Sequence, residues 1–206
     1  MPTFVAFGVG IGNLASRRMT MQDYVKATNQ KLVLLRSRTK ITDFHHATGN
    51  FVVQAFNNNR MSVADELSLA LGTPCVVIAL DDLARYAAIA RKATSPPIEP
   101  GFNWTAGIAF WANGKPCIIT LKPTPHATFF PIDKHTVGVF KRDQLTDRKE
   151  ILYREAHVGG WSGISADIGK VVGGTWTARA LDKIEGTLVK ARNYDQKRAA
   201  QQSNLA

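Results

Sequence analysis

The sequence predicts an α+β fold, and three observations carry that expectation. Short apolar, β-prone runs at Phe4–Phe7, Phe51–Phe56 and Pro74–Leu80 alternate with stretches that open on helix caps. Hydrophobic residues make up 45% of the 206 positions, enough to bury a core. The elements of the first half read β-α-β-β-α-β and then a helix, an order that differs from repeated βαβ units.

Phe4–Phe7 reads as a first strand, and glycines follow it at positions 8, 10 and 12. Thr20 caps a helix expected over Met21–Asn29, with Asp23 well placed in its first turn. Two stretches then qualify as the second strand, Leu32–Leu35 and Lys40–His45. Gly49-Asn50 signals a turn into the strand Phe51–Phe56. Ser62, with Asp65 three residues on, forms a variant capping box for a helix over Val63–Leu71 that ends at Gly72. Pro74–Leu80 is a buried strand entered through its proline, and Asp81 caps a helix over Asp82–Lys92.

That order is the ferredoxin-like, split βαβ arrangement, expected over residues 1–94. Thr94–Gly101, with three prolines and a glycine, reads as a boundary. A smaller mixed α/β subdomain is expected over 101–192. Its strands are read at Trp104–Trp111, Lys115–Lys122, Val137–Lys141 and Ile151–Ala156, with a turn at Asn113-Gly114. An amphipathic helix over Ala178–Arg192 closes it, and 193–206 reads as a flexible tail.

Charge is the strongest functional signal. There are 26 Lys and Arg against 16 Asp and Glu, a formal net charge of +10. Folding does not need that surplus, and self-repulsion opposes it, so an anionic partner is expected: nucleic acid or a phosphorylated ligand. The surplus is spread along the chain in short clusters, among them Arg17-Arg18, Arg36–Lys40, Arg91-Lys92 and Lys197-Arg198. A solvated basic surface and a phosphate-binding face both fit it. No run reaches the roughly 18 apolar residues of a membrane helix, so no membrane partner is expected. Cys75 and Cys117 lie in apolar runs and read as two structural thiols in a reducing cytoplasm.

FVAFGVGIGN, MTMQDYV and ATGNFVVQAF together resemble the opening of a bacterial family known as domain of unknown function 1697. Thr48-Gly49-Asn50-Phe51-Val52-Val53 is similar to that family's strand entered through Ser-Gly-Asn, and Gly174–Ile184 looks like its Thr-rich turn into a last helix. The resemblance covers about half the chain. It implies an α+β fold of two subdomains in a bacterial protein, and it implies no reaction. The chain departs from the family at Val9, where the loop Arg falls, and at Thr177-Ala178, where Asn-Trp falls. The family's Gly-Arg-Ser segment has no counterpart in Gly159–Gly174, and Arg17 or Arg18 is the candidate to replace the loop charge.

The loop from Gly8 to Arg18 is the sharpest candidate site. A strand, then Gly8, Gly10 and Gly12, then a helix is the setting in which backbone N–H groups cradle a phosphate, and Arg17 and Arg18 add charge. With Arg36 and Arg38 after Leu32–Leu35 a nicotinamide-dinucleotide reading can be built, but the third fingerprint glycine has no counterpart. A plain glycine-rich connection is the better reading of the loop. No cofactor is expected.

Other motifs fall short. Gly159-Gly160-Trp161-Ser162-Gly163 is similar to a nucleophile elbow, but Ile164 holds the place of the required glycine and no His follows Ser162. Asp43 and His45 share a face of an extended strand, which is two ligands and not a metal site; His46, His126, His135 and His157 are scattered. No metal is expected. Trp104, Phe110, Trp111, Phe129 and Phe130, interleaved with lysines, suit base stacking, although aromatics at strand spacing read first as core.

The first functional expectation is therefore non-enzymatic binding of nucleic acid or another polyanion, with Arg17, Arg18, Arg36, Arg38 and Lys40 as the binding residues. The second is an enzyme or sensor holding a phosphorylated small molecule or nucleotide at the 8–18 loop. The third is a structural protein with a basic exterior.

Overall fold

Runs such as Phe4-Val5-Ala6-Phe7 and Phe51-Val52-Val53 are apolar at every position rather than at alternate ones, which requires a sheet covered on both faces. The computed structural model, which describes residues 1–9, 19–45, 49–97, 100–112, 123–124, 127–144, 168–169 and 173–203, contains such a sheet. Among the described residues the fold is α+β, with four helices and two antiparallel four-stranded sheets. The chain divides into two units. One is Met1–Arg85 with Lys183–Ala206; the other is Tyr86–Asp182.

In the first unit the elements are β1 (Thr3–Gly8), α1 (Met21–Leu34), β2 (Lys40–His45), β3 (Asn50–Gln54), α2 (Arg60–Leu71) and β4 (Cys75–Ala79). The sheet order is β2-β3-β1-β4, antiparallel throughout. Phe4 and Ala6 of β1 join Phe51, Val53, Ile41 and Val77 in a core with Leu32 of α1 and Val63 and Leu67 of α2. Val5, Phe7 and Val52 point the other way and are equally buried. That second face is covered by α4 (Leu181–Ser203), the last helix. It is tied down by Asn50 Nδ2 donating to Thr187 Oγ1 (3.2 Å), Tyr194 to Gln54 (2.9 Å) and Thr3 to Asp195 (2.6 Å).

The caps correct two expectations. Thr20 does cap α1, accepting from Asp23 N at 3.1 Å, but the helix runs on to Leu34 and absorbs the alternative strand Leu32–Leu35. Only Leu32 of that stretch is buried, so α1 can take it at helical spacing. The helix ends with Ser37 N donating to Leu32 O and Arg36 N to Val33 O, a Schellman closure. Arg36 occupies its left-handed position, with φ 53°, where glycine is the usual residue. The cap of α2 is Asn59, not Ser62: the Asn59 side chain accepts from Met61 N (3.0 Å) and Ser62 N (3.5 Å), so the helix starts a turn early. Gly72, with φ 70°, ends it as expected.

The second unit holds β5 (Phe102–Trp111), β6 (Ala127–Asp133), β7 (Thr136–Gln144) and β8 (Trp176–Ala180), in the order β6-β7-β5-β8. Helix α3 (Leu80–Lys92) contains the division at Arg85/Tyr86. Ala109, Trp111, Val137, Val139, Ile168 and Ala178 form a core within this unit. Strands β6 and β8 differ from the sequence reading. Pro131 hides β6, and the sheet admits it because β6 is an edge strand with a register shift between Pro131 and Asp133. Ala178-Arg179-Ala180 reads as helix by propensity, but pairing with β5 holds it extended. The helix then begins at Leu181 and continues past Arg192 to Ser203. The expected strands Lys115–Lys122 and Ile151–Ala156 and the turn at Asn113-Gly114 lie outside the described residues.

Candidate functional site

The register of the first sheet decides which basic residues meet. Lys40 pairs with Gln54, and Gln54 pairs with Thr3, so the start of β2, the end of β3 and the start of β1 share one end of the sheet. Gly8 lies at the opposite end of β1, paired with Cys75. The separation is about 17 Å, five residue steps at about 3.3 Å each. Arg36, Arg38 and Lys40 therefore stand together, and Gly8 stands apart from them. The dinucleotide reading needs the loop and the arginines at one end of a parallel sheet, and this antiparallel sheet separates them.

Gly8 N donates to Gly49 O (2.8 Å) and Val9 N to Pro74 O (2.9 Å), so neither N–H is open to a phosphate. Gly10, Gly12, Arg17 and Arg18 lie outside the described residues, as do Ser162 and its glycines, His46, His126, His157 and Cys117.

The end that holds Arg36, Arg38 and Lys40 gathers further residues. All three side chains are exposed. The Arg38 guanidinium carbon lies 4.9 Å from the centroid of the exposed Phe56 ring, just past β3. Arg60, also exposed, is the first residue of α2, whose first turn carries no acidic residue. A cation there opposes the helix dipole, so this position favours an incoming anion. Helix α4 delivers Arg198 to the same end: its Nη1 donates to Met1 O at 2.8 Å, while Ala55 N donates to Pro2 O. Lys197 is its exposed neighbour.

The carboxylates nearby are engaged. Glu66 accepts from both Ser37 and Thr39 at 2.6 Å, and Asp195 accepts from Thr3. Among the described residues Arg36, Arg38, Lys40, Arg60 and Lys197 make no ion pair. Sequence reasoning missed Phe56 and Arg60 as members of this group, and it treated Lys197-Arg198 as a separate cluster. The signal for Arg60 was its place two residues ahead of Ser62, visible only once Asn59 is known to be the cap.

The remaining candidates are structural. Asp43 and His45 do share a face, the one under α4: Asp43 pairs with Lys190 at 3.3 Å, and His45 packs on Gly186. No group of three or more His, Cys, Asp or Glu among the described residues could hold a metal ion. His135 meets Trp111 edge-on at 6.1 Å. Phe110 and Trp111 are buried, so they are core rather than a stacking platform. Cys75 is free and buried, and burial pushes its thiol up to about 11. Arg179 is held at Thr177 and Ala178, and burial lowers its pKa to about 10.

No protein-family model, curated protein or solved structure matches the chain.

Proposed function

We propose that this protein is a non-enzymatic module that binds a polyanion, nucleic acid or another, through the basic end of its first unit. The observation that supports the reading is the convergence of Arg36, Arg38, Lys40, Arg60, Lys197 and Arg198 on one end of one sheet, with the neighbouring carboxylates already hydrogen-bonded. Exposed cations without carboxylate partners gain most from phosphate, because binding releases the counterions condensed on the polyanion. Two of them also sit where local structure disfavours them, Arg36 in the left-handed region and Arg60 at a helix N-terminus.

The same proposal reads the first unit as a ferredoxin-like domain, supported by the element order β1-α1-β2-β3-α2-β4 and the sheet order β2-β3-β1-β4. It also keeps the likeness to the domain of unknown function 1697 as a distant relationship. Fluorescence anisotropy of labelled oligonucleotides at roughly 50 and 200 mM salt tests the function. Binding at the lower salt that falls by about two orders of magnitude at the higher supports it, and no binding of either oligonucleotides or anionic vesicles at the lower salt refutes it.

A further inference from the structure

The basic end carries something that phosphate recognition does not need. Three consecutive side chains close α1 exposed: Val33 at 73%, Leu34 at 82% and Leu35 at 46%. Successive residues on a helix are turned by about 100°, so no single neighbouring element can cover all three. The result is an apolar knob rather than a stripe. Arg36, in the left-handed conformation, turns the chain back at once toward β2, which leaves the knob protruding. Phe56, 62% exposed, lies at the same end beneath Arg38. Arg36, Arg38, Lys40 and Arg60 are exposed cations of this end, with Lys197 and Arg198 delivered beside them by α4.

A partner must satisfy both chemistries. A nucleic acid strand offers phosphates to the cations and a base to Phe56, but nothing that rewards three aliphatic side chains. A folded acidic protein would need a pocket shaped to an irregular knob. An anionic bilayer surface offers a layer of phosphates and, just beneath it, a fluid apolar boundary that accepts any shape. Arginine and lysine can keep their heads in the headgroup layer while their stems follow apolar neighbours inward.

We propose that this end docks on the surface of an anionic membrane, with Val33, Leu34 and Leu35 inserted at the headgroup boundary and Arg36, Arg38, Lys40 and Arg60 on lipid phosphates. The proposal rests on the polyanion reading and names its partner. The contact is with the surface: no helix among the described residues is long and apolar enough to cross a bilayer.

Co-sedimentation with vesicles tests it, using phosphatidylcholine alone and phosphatidylcholine mixed with phosphatidylglycerol. Oligonucleotide anisotropy and light scattering are run on the same proteins. The wild type is compared with V33S/L34S and with R36Q/R38Q, all positions being exposed, and circular dichroism melts check that each variant folds. The expected result is binding to the mixed vesicles only. V33S/L34S weakens it by at least about tenfold while leaving oligonucleotide affinity within about twofold, and R36Q/R38Q weakens both. Vesicle binding indifferent to V33S/L34S overturns the proposal. So does oligonucleotide binding without vesicle binding, which keeps the basic end and makes nucleic acid the partner. A wild-type dimer that V33S/L34S converts to monomer assigns the knob to a second copy and also overturns it. Binding to neither polyanion defeats this proposal and the polyanion reading together.

Discussion

Arg38 lies over the ring of Phe56, its guanidinium carbon 4.9 Å from the centroid. The pairing follows from register. Lys40 sits opposite Gln54, and two further antiparallel steps bring 38 opposite 56, beyond the last ladder bonds of β2 and β3. Phe56 is 62% exposed, so the pair contributes the modest energy of an exposed cation–π contact and serves to aim the guanidinium. Phe56→Ala should cost less than about 1 kcal/mol in urea unfolding and should weaken oligonucleotide binding several-fold in anisotropy. A loss of several kcal/mol would make Phe56 a core residue and remove it from the site.

Arg36 carries the backbone cost of a left-handed residue, with φ 53°. Glycine takes that conformation freely, so Arg36→Gly should raise stability by about 0.5–1 kcal/mol in denaturant. The same variant should bind polyanions more weakly, with a shallower salt dependence because one phosphate contact is gone. Opposite signs in stability and binding are the signature of a side chain kept for its charge. A stabilised variant with unchanged binding would remove Arg36 from the site.

Much of the first sheet was legible because the central strands β1 and β3 and the edge strand β4 are buried on both faces, which makes Phe4–Phe7, Phe51–Val53 and Cys75–Ile78 continuous apolar runs that nothing else explains. The end of α1 was not legible. Val33, Leu34 and Leu35 are exposed, and exposed aliphatics carry no periodicity that separates a helix from a strand. The site was half legible. Arg36, Arg38 and Lys40 stand out by charge, but joining them to Phe56 needs the β2–β3 register, and joining them to Arg198 needs the return of α4 across the sheet. Grouping them with Gly8 failed because sequence proximity says nothing about which end of a strand a residue occupies.

Gly138 in β7 lies beneath Phe130 of the neighbouring strand, and a Cβ there would overlap the ring. Phe130 also packs against Phe140, with centroids 5.1 Å apart. Alanine normally suits a strand interior better than glycine, yet Gly138→Ala should destabilise the protein by about 1–3 kcal/mol by displacing the ring. Adding Phe130→Leu should recover part of that loss in a double-mutant cycle. A strictly additive double mutant would show that the two residues do not meet.

Burial is the main reason the Cys75 thiol rises to about 11; a hydrogen bond from Ser68 lowers it and the charge of Asp65 raises it. The folded chain therefore holds this proton to higher pH than the unfolded chain does. The stability contributed is fully present below the ordinary value of 9.0 and is lost as pH climbs toward about 11. Over that window the wild type should lose on the order of 2 kcal/mol more than Cys75→Ala, which cancels the lysine and tyrosine contributions common to both. Alkylation of Cys75 in the folded protein at about pH 8 should be slow and should accelerate with denaturant. Rapid alkylation of the folded chain would contradict its burial.

The proposed polyanion site stands or falls on its place at the basic end of the first unit. The direct test is anisotropy of a labelled single-stranded oligonucleotide at roughly 50 mM salt against three proteins: wild type, R36Q/R38Q/K40Q/R60Q, and R91Q/K92Q, which removes two cations from α3. The first variant should lose at least about a hundredfold in affinity, and the second should stay within a few-fold of wild type. Equal, small losses in both variants would mean that the charge acts as a diffuse surface, and the basic end would not be a site.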